Sequence, residues 1–342
     1  MRLGITLGCP CGVGAEVVLK ALASGRHGPV VIFGAPAAWR DAQQQTGIHL
    51  PTRSVPLAAL ATATSDVCLV PSAPELRKFT PAAPDARADQ ACAQALLDAI
   101  AAARAGQIHA VATAPARKQA FSGLPGGPFP GHTELFHHAF GVSPAPVMMF
   151  EAPGMRLGLV TIHVPLRKVS DAITPDALAN ALRTTAAGLT ADLGIPDPVI
   201  HVLGLNPHAS EDGRIGDEDV VVVRPALERA RTEGLRVAGP FPSDGYFARY
   251  RDRPPPDAVL ALYHDQGLGP FKLWERGRGC QHTLGLSVPR TSCDHGTAYD
   301  IAGRAIADAR SMTAAIRLAA KVVRVRRGHT RKTGLTGSAR AR

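Results

Sequence analysis

Three histidines follow one local grammar. His163 comes directly after the apolar run 157–162, His208 follows the run 199–205 across Asn206-Pro207, and His264 comes directly after the run 258–263. In open α/β sheets, ligands sit beyond the carboxyl ends of the strands. Three neutral imidazoles delivered there can converge on one divalent cation, with solvent or substrate completing the sphere. The same placement also serves histidines that are merely hydrogen-bonded, so spacing alone leaves both readings open. Asn206 beside His208, and Asp265 and Gln266 beside His264, are of the types that fix an imidazole tautomer.

A second group suits an anion. Gly131-His132-Thr133-Glu134 is placed to open a helix with Thr133 near its N-cap, and helix N-termini favour phosphate or carboxylate. Lys272 lies eight residues after His264, and Arg290 opens the segment 290–297. Lysine and arginine are the usual partners of those anions. The turn Gly8-Cys9-Pro10-Cys11-Gly12-Val13-Gly14 lacks the Lys-Ser/Thr of a P-loop and the G-x-G-x-x-G spacing of a dinucleotide fingerprint. It reads equally as a tight turn or a phosphate cradle. Cys9 and Cys11 have no second cysteine pair at metal-site spacing, which favours two reduced thiols in that turn.

Strands are expected at 3–7, 30–33, 108–113, 157–162, 199–205 and 258–263. Helices are expected at 14–23, 88–105, 175–188, 218–233, 298–307 and 311–323. This alternation predicts an α/β fold with a largely parallel sheet. The Gly- and Pro-rich stretch 121–131 is the candidate crossing between domains. The 342 residues (35.8 kDa) suffice for about two domains. With 5% aromatics the chain is poor in platforms for stacking single-stranded nucleic acid. No apolar run reaches the 18 residues of a membrane span, and the first dozen residues are broken too early by Gly, Cys and Pro for a signal peptide.

The net charge is +10, but no acidic residue follows Asp308 and eight basic residues fall in 321–342. The body is therefore close to neutral. Residues 322–342 are expected to be a basic, mobile C-terminal tail rather than a nucleic-acid-binding face. The six scattered cysteines argue against a disulfide framework and for a cytoplasmic protein.

Four motifs occur in order: Gly131-His-Thr-Glu134, Gly204-Leu-Asn-Pro-His-Ala209, Tyr263-His-Asp-Gln-Gly-Leu268, and Asp294-His-Gly-Thr-Ala298 running into Asp300-Ile-Ala-Gly303. Together they resemble the 4-hydroxythreonine-4-phosphate dehydrogenase (PdxA) family, from about residue 3 to about residue 318. The last motif is also similar to a cofactor-binding segment of isocitrate and isopropylmalate dehydrogenases.

The resemblance implies two α/β/α domains with a cleft between them, isocitrate/isopropylmalate dehydrogenase-like. A cofactor-side domain would comprise 1–130 and 281–321, and a substrate, metal and dimerisation domain 131–280. It implies a homodimer with its active site at the interface, so the metal histidines His163, His208 and His264 need not come from one chain. It implies NAD, with NADP left open, and one divalent cation per subunit: zinc foremost, with cobalt, manganese and magnesium left open. His132, Thr133, Lys272, Gln281 and Arg290 would bind substrate. Asp244 and Lys272 would transfer protons, and His295, Gly296, Thr297 and Asp300 would bind cofactor. The reaction implied is oxidation of 4-phosphooxy-L-threonine and decarboxylation to 3-amino-2-oxopropyl phosphate, in pyridoxal phosphate biosynthesis.

The departures bear on substrate choice. Cys9 stands where the family has an acidic residue, Gln281 where it has Asn, and His282 where a small apolar residue is usual. Gly245 replaces a common Thr, and Cys293 replaces Pro or Val. They keep a paralogous dehydrogenase of threonate or erythronate 4-phosphate as an alternative. An inactive homologue that binds anions or RNA is the alternative of another class.

Overall fold

The computed structural model describes residues 1–25, 27–252 and 254–337. The chain forms two compact units. One comprises Met1–Phe140, Cys280–His282 and Leu286–Arg324. The other comprises Gly141–Gly279, Thr283–Gly285 and the chain from Val325 on.

In the first unit the strands run in the order Arg53–Ser54, Val67–Pro71, Val30–Gly34, Leu3–Thr6, Val111–Thr113 and Arg290–Cys293, every neighbour parallel. Strand side chains alternate between faces, and the core divides accordingly. Val30 and Ile32 pack with Val17, Trp39 and Met312, while Val31 and Phe33 pack with Leu96, Phe121 and Phe136. Both faces of the sheet are covered by helices, which is why its strands read as continuous apolar runs. The helix Gly14–Ala23 forms where expected. Its Glu16 accepts from the Ala307 backbone at 2.7 Å, and Lys20 donates to the Ala305 and Ala307 carbonyls at 2.9 and 3.0 Å.

In the second unit Val147–Ala152 pairs antiparallel with Met155–Leu159, and the order continues in parallel through Ala258–Ala261, Val199–Leu203 and Arg236–Phe241. The helix Pro175–Leu193 runs from a Thr174 N-cap to Gly194 and buries Leu178, Leu182 and Leu189. His163, His208 and His264 all lie in this unit, each beyond the carboxyl end of a strand.

Three expectations are corrected. Residues 121–131 are not the crossing: Phe121 and Leu124 lie in the same cluster as Leu135, Phe136 and Phe140, so the first unit extends through Phe140. Residues 298–307 are turns rather than helix, because Ala298, Gly303 and Ala305 take φ of 47°, 79° and 56°. The supposed tail continues as helix, Arg310–Gly337. Val322 and Val323 are buried, and Arg326 donates to the buried Asp192 at 2.6 Å. The end of the basic segment, 338–342, lies outside the described residues. Among the described residues no helix is long and apolar enough to cross a membrane.

Candidate active site

His163 follows the strand Met155–Leu159, in a turn held by Val160 and Thr161 donating to the Ala261 and Leu262 carbonyls. His264 is the first residue of the helix His264–Glu275, with Tyr263 in extended conformation at the N-cap position. These backbone bonds tie the two loops together, and the imidazoles lie with ring centres 6.0 Å apart. That separation suits a cation held at about 2.0–2.1 Å by one nitrogen of each ring. Asp265 Oδ1 lies 2.7 Å from His264 Nδ1, which leaves the Nε2 lone pair of the neutral ring to serve as a ligand. Gln266 does not act on the imidazole. Buried, it accepts from Leu262 N at 2.7 Å and donates to the Gly204 carbonyl, joining the two strand ends that carry His264 and His208.

His208 sits in the turn Pro207–Gly213, whose residues 208–212 all have positive φ. The turn packs on the helix Ser243–Ala248, which carries the exposed Asp244. His208 does not join the other two: among the described residues of this chain, no three His, Cys, Asp or Glu side chains form a group that could hold a metal. One chain presents two neighbouring imidazoles, ligands of a type that fills part of a cation's sphere. Lys272 lies eight residues along the helix from His264, roughly 12 Å by helical rise, and is within 4.0 Å of Glu275.

The anion group is in the first unit. Arg290 is 3% exposed, and its Nε and Nη2 donate to Thr113 Oγ1 at 3.1 and 2.7 Å. Its Nη1 donates to Gln281 Oε1, which also accepts from Ser292 Oγ at 2.9 Å. Thr113 Oγ1 donates onward to the Thr291 carbonyl at 3.4 Å. The guanidinium is thus aimed by two neutral oxygens. Burial pulls its pKa down to about 10, with Cys293 and Glu134 opposing, so it stays cationic at neutral pH. A buried cation favours an incoming anion. Thr113 and Ser292 were not singled out by sequence reasoning. A small hydroxyl residue at a strand end is too common to stand out alone. Gln281 acts here by aiming Arg290.

His132 opens the helix His132–Phe140, its ring 4.8 Å from that of Phe121. Its Nε2 is buried with no hydrogen-bond partner. Burial first, and the Arg290 charge second, hold its pKa well below the ordinary 6.5. Thr133 is buried beside it. A histidine that stays neutral when folded but takes a proton when unfolded stabilises the protein fully above pH 6.5 and loses that contribution as pH falls below it. His132→Gln is therefore expected to lose less melting temperature than the parent between pH 8 and pH 5. Equal losses would contradict the assignment.

The expected cofactor segment packs on the Gly8–Gly14 turn. Val13 N donates to the Thr297 carbonyl at 3.1 Å, and a Cβ on Gly12 would lie 2.7 Å from that oxygen. Only glycine admits this approach. His295 Nδ1 lies 2.9 Å from the Gly296 carbonyl and its Nε2 is buried without a partner, while Asp300 is exposed. Cys9 and Cys11 are buried free thiols. Cys9 Sγ accepts from Tyr299 Oη at 3.4 Å, and burial together with Cys9 raises Cys11 to about 11.

Residues 26–319 match the model of a protein family described as pyridoxal phosphate biosynthetic protein PdxA. A 4-hydroxythreonine-4-phosphate dehydrogenase from Paracoccus denitrificans (strain Pd 1222) is 39% identical over 323 residues, spanning 92% of this chain and 95% of its own. The enzyme of that name from Klebsiella pneumoniae has a crystal structure that aligns at TM-score 0.81 and 32% identity, over 94% of this chain and 98% of its own. A terephthalate 1,2-cis-dihydrodiol dehydrogenase from Burkholderia xenovorans LB400 aligns at TM-score 0.62 and 29% identity, over 94% and 98%. Sequence match and shared fold across nearly the whole length lead to one conclusion: the chain belongs to the PdxA family.

Proposed function

We propose that this chain is an NAD-dependent, divalent-metal-dependent dehydrogenase of 4-hydroxythreonine 4-phosphate. It would yield 3-amino-2-oxopropyl phosphate and CO2 for pyridoxal phosphate biosynthesis. Family membership supports the substrate, and the single observation that carries the site is Arg290, a buried cation aimed by Thr113 and Gln281 with the neutral His132 nearby. Arg290, His132 and Thr133 bind the substrate's anionic groups. His163, His208 and His264, drawn from two copies of the chain in a homodimer, hold the cation. His295, Gly296, Thr297 and Asp300 hold the dinucleotide, for which NADP is the alternative. When bound, the nicotinamide accepts the hydride and the cation, zinc foremost, polarises the reacting hydroxyl. Asp244 and Lys272 are the groups that take the hydroxyl proton and pass it on. The neutral His132 accepts or donates a hydrogen bond without adding charge beside Arg290.

A second reading has its own support. Gln281, which stands where the resemblance places Asn, bonds directly to Arg290, so the support of this cation departs from the expected one. Threonate or erythronate 4-phosphate is the corresponding substrate class. The test is NAD reduction by the metal-reconstituted protein, with 4-phosphooxy-L-threonine and threonate 4-phosphate compared by kcat/KM. A higher value for the first supports the main reading. A higher value for the second transfers the same chemistry to the other acid. No reduction with either, in protein that retains its metal, rejects both.

A further inference from the structure

Residues 208–212 form a backbone that L-amino acids avoid. His208, Ala209, Ser210, Glu211 and Asp212 have φ of 55°, 51°, 68°, 42° and 56°, and none is glycine. Single residues visit this region; consecutive ones do not persist unless the surroundings impose them. Inside the turn, Ala209 N donates to the Asn206 carbonyl at 3.0 Å and Ile215 N to that of Ser210 at 3.1 Å. These close the turn without choosing its hand.

The surrounding restraint is Asp219, which is fully buried. Its Oδ1 accepts from Leu205 N at 2.7 Å, and its Oδ2 accepts from Asn206 N at 2.9 Å and Ser210 Oγ at 2.9 Å. Ser210 Oγ in turn accepts from Asn206 Nδ2 at 3.1 Å. One carboxylate thus grips the chain two residues before His208 and two residues after it. Pro207 fixes one further dihedral between those grips. The packing is tight: a Cβ on Gly204 would lie 2.8 Å from Ala209 Cβ and 3.2 Å from Asp219 Oδ1. Asn206 Nδ2 also donates to Glu218 Oε2 at 2.6 Å, holding the following acidic stretch in place.

We infer that Asp219 is the positioning residue for His208: its carboxylate holds the left-handed turn that presents this imidazole to the divalent cation. The inference rests on the reading of His208 as a cation ligand. Asp219 touches backbone and hydroxyl rather than the ring, so its effect is on where the ring is held. Partners that orient metal ligands typically change metal affinity 10- to 100-fold when removed.

The test is a cobalt(II) titration of the metal-stripped, full-length protein, followed by calorimetry and by the visible d–d spectrum. The variants are Asp219→Asn, Ser210→Ala and His208→Ala. Asp219→Asn keeps the shape but puts an NH2 where Asn206 N and Ser210 Oγ need an acceptor. It is expected to weaken cobalt binding 10- to 100-fold and alter the spectrum, with NAD binding near that of the parent. Ser210→Ala removes one of the three bonds and is expected to weaken binding about threefold to tenfold. It decides the matter if Asp219→Asn fails to fold. Parent-like affinity and spectrum in Asp219→Asn, or in Ser210→Ala where it must decide, overturn the inference, provided His208→Ala has lost the cation. If His208→Ala itself binds cobalt like the parent, the ligand reading falls, and the role of Asp219 with it.

Discussion

Replacing His163 with alanine is expected to release the divalent cation and to lower kcat/KM by about a thousandfold. Polarising the reacting oxygen is worth several kcal/mol, and each 1.36 kcal/mol is a factor of ten. His163 is exposed, so little packing is lost and the metal-free melting temperature should barely move. The pairing with His264 at 6.0 Å makes the prediction specific. His264→Ala should behave alike, and the double variant should be little worse than either single one, because each single change already empties the shared site. Metal content after dialysis, read beside NAD reduction, checks this. Full metal retention with full turnover in His163→Ala would remove the histidine pair from the mechanism. Partial activity restored by excess cation would mean that the remaining ligands still bind, only more weakly.

The histidines were legible because their signal is local. Each short apolar strand marks where its polar follower emerges, and His163, His208 and His264 lie just beyond Met155–Leu159, Val199–Leu203 and Ala258–Ala261; that placement was legible, whereas what the imidazoles hold was not. The helix Gly14–Ala23 was legible because its apolar periodicity begins at a Gly-rich turn and ends where that periodicity stops. What could not be read depends on φ or on distant partners. Residues 298–307 have helical composition, yet Ala298 and Ala305 adopt positive φ, and the Ala305 and Ala307 carbonyls are engaged by Lys20 almost 300 positions away. No one-dimensional pattern contains that. Thr113 and Asp219 escaped for a related reason: each is a single buried polar residue whose role is defined by partners from other elements. Asp219 did leave one trace, as an acidic residue directly before the apolar stretch 220–223 and soon after the Asn-Pro-His motif. The basic charge near the C-terminus was visible in the sequence, but Val322, Val323 and Arg326 show that its first turns are docked helix. A count of charges cannot separate a solvated tail from a helix with one buried stripe.

Arg290 tests the anion site, and its replacement should separate binding from stability. Thr113 and Gln281 engage three of the five guanidinium N–H groups, so Arg290→Met removes at most two charge-assisted hydrogen bonds to the substrate's anion, each worth about 1.5–3 kcal/mol. A loss of about a thousandfold in kcat/KM is expected, carried mainly by KM because the contact is made in ground and transition states alike. Stability should respond much less. Methionine takes both guanidinium donors from Thr113 Oγ1, at about 1–3 kcal/mol, while Gln281 Oε1 keeps Ser292 Oγ, and it also relieves a buried charge. That relief follows from the depressed pKa: below pH 10 the folded protein holds this guanidinium less favourably than the unfolded chain does. Opposing terms of similar size predict a melting temperature within a few degrees of the parent. Arg290→Lys discriminates further, since an ammonium keeps the charge but cannot donate at once to Thr113, Gln281 and an anion in the planar arrangement that Arg290 uses. If charge alone mattered, the lysine variant would recover most of the KM. If the aimed fork matters, as the bonds through Thr113 and Gln281 imply, its KM will stay close to that of the methionine variant, and Gln281→Ala will raise KM in the same direction by a smaller factor.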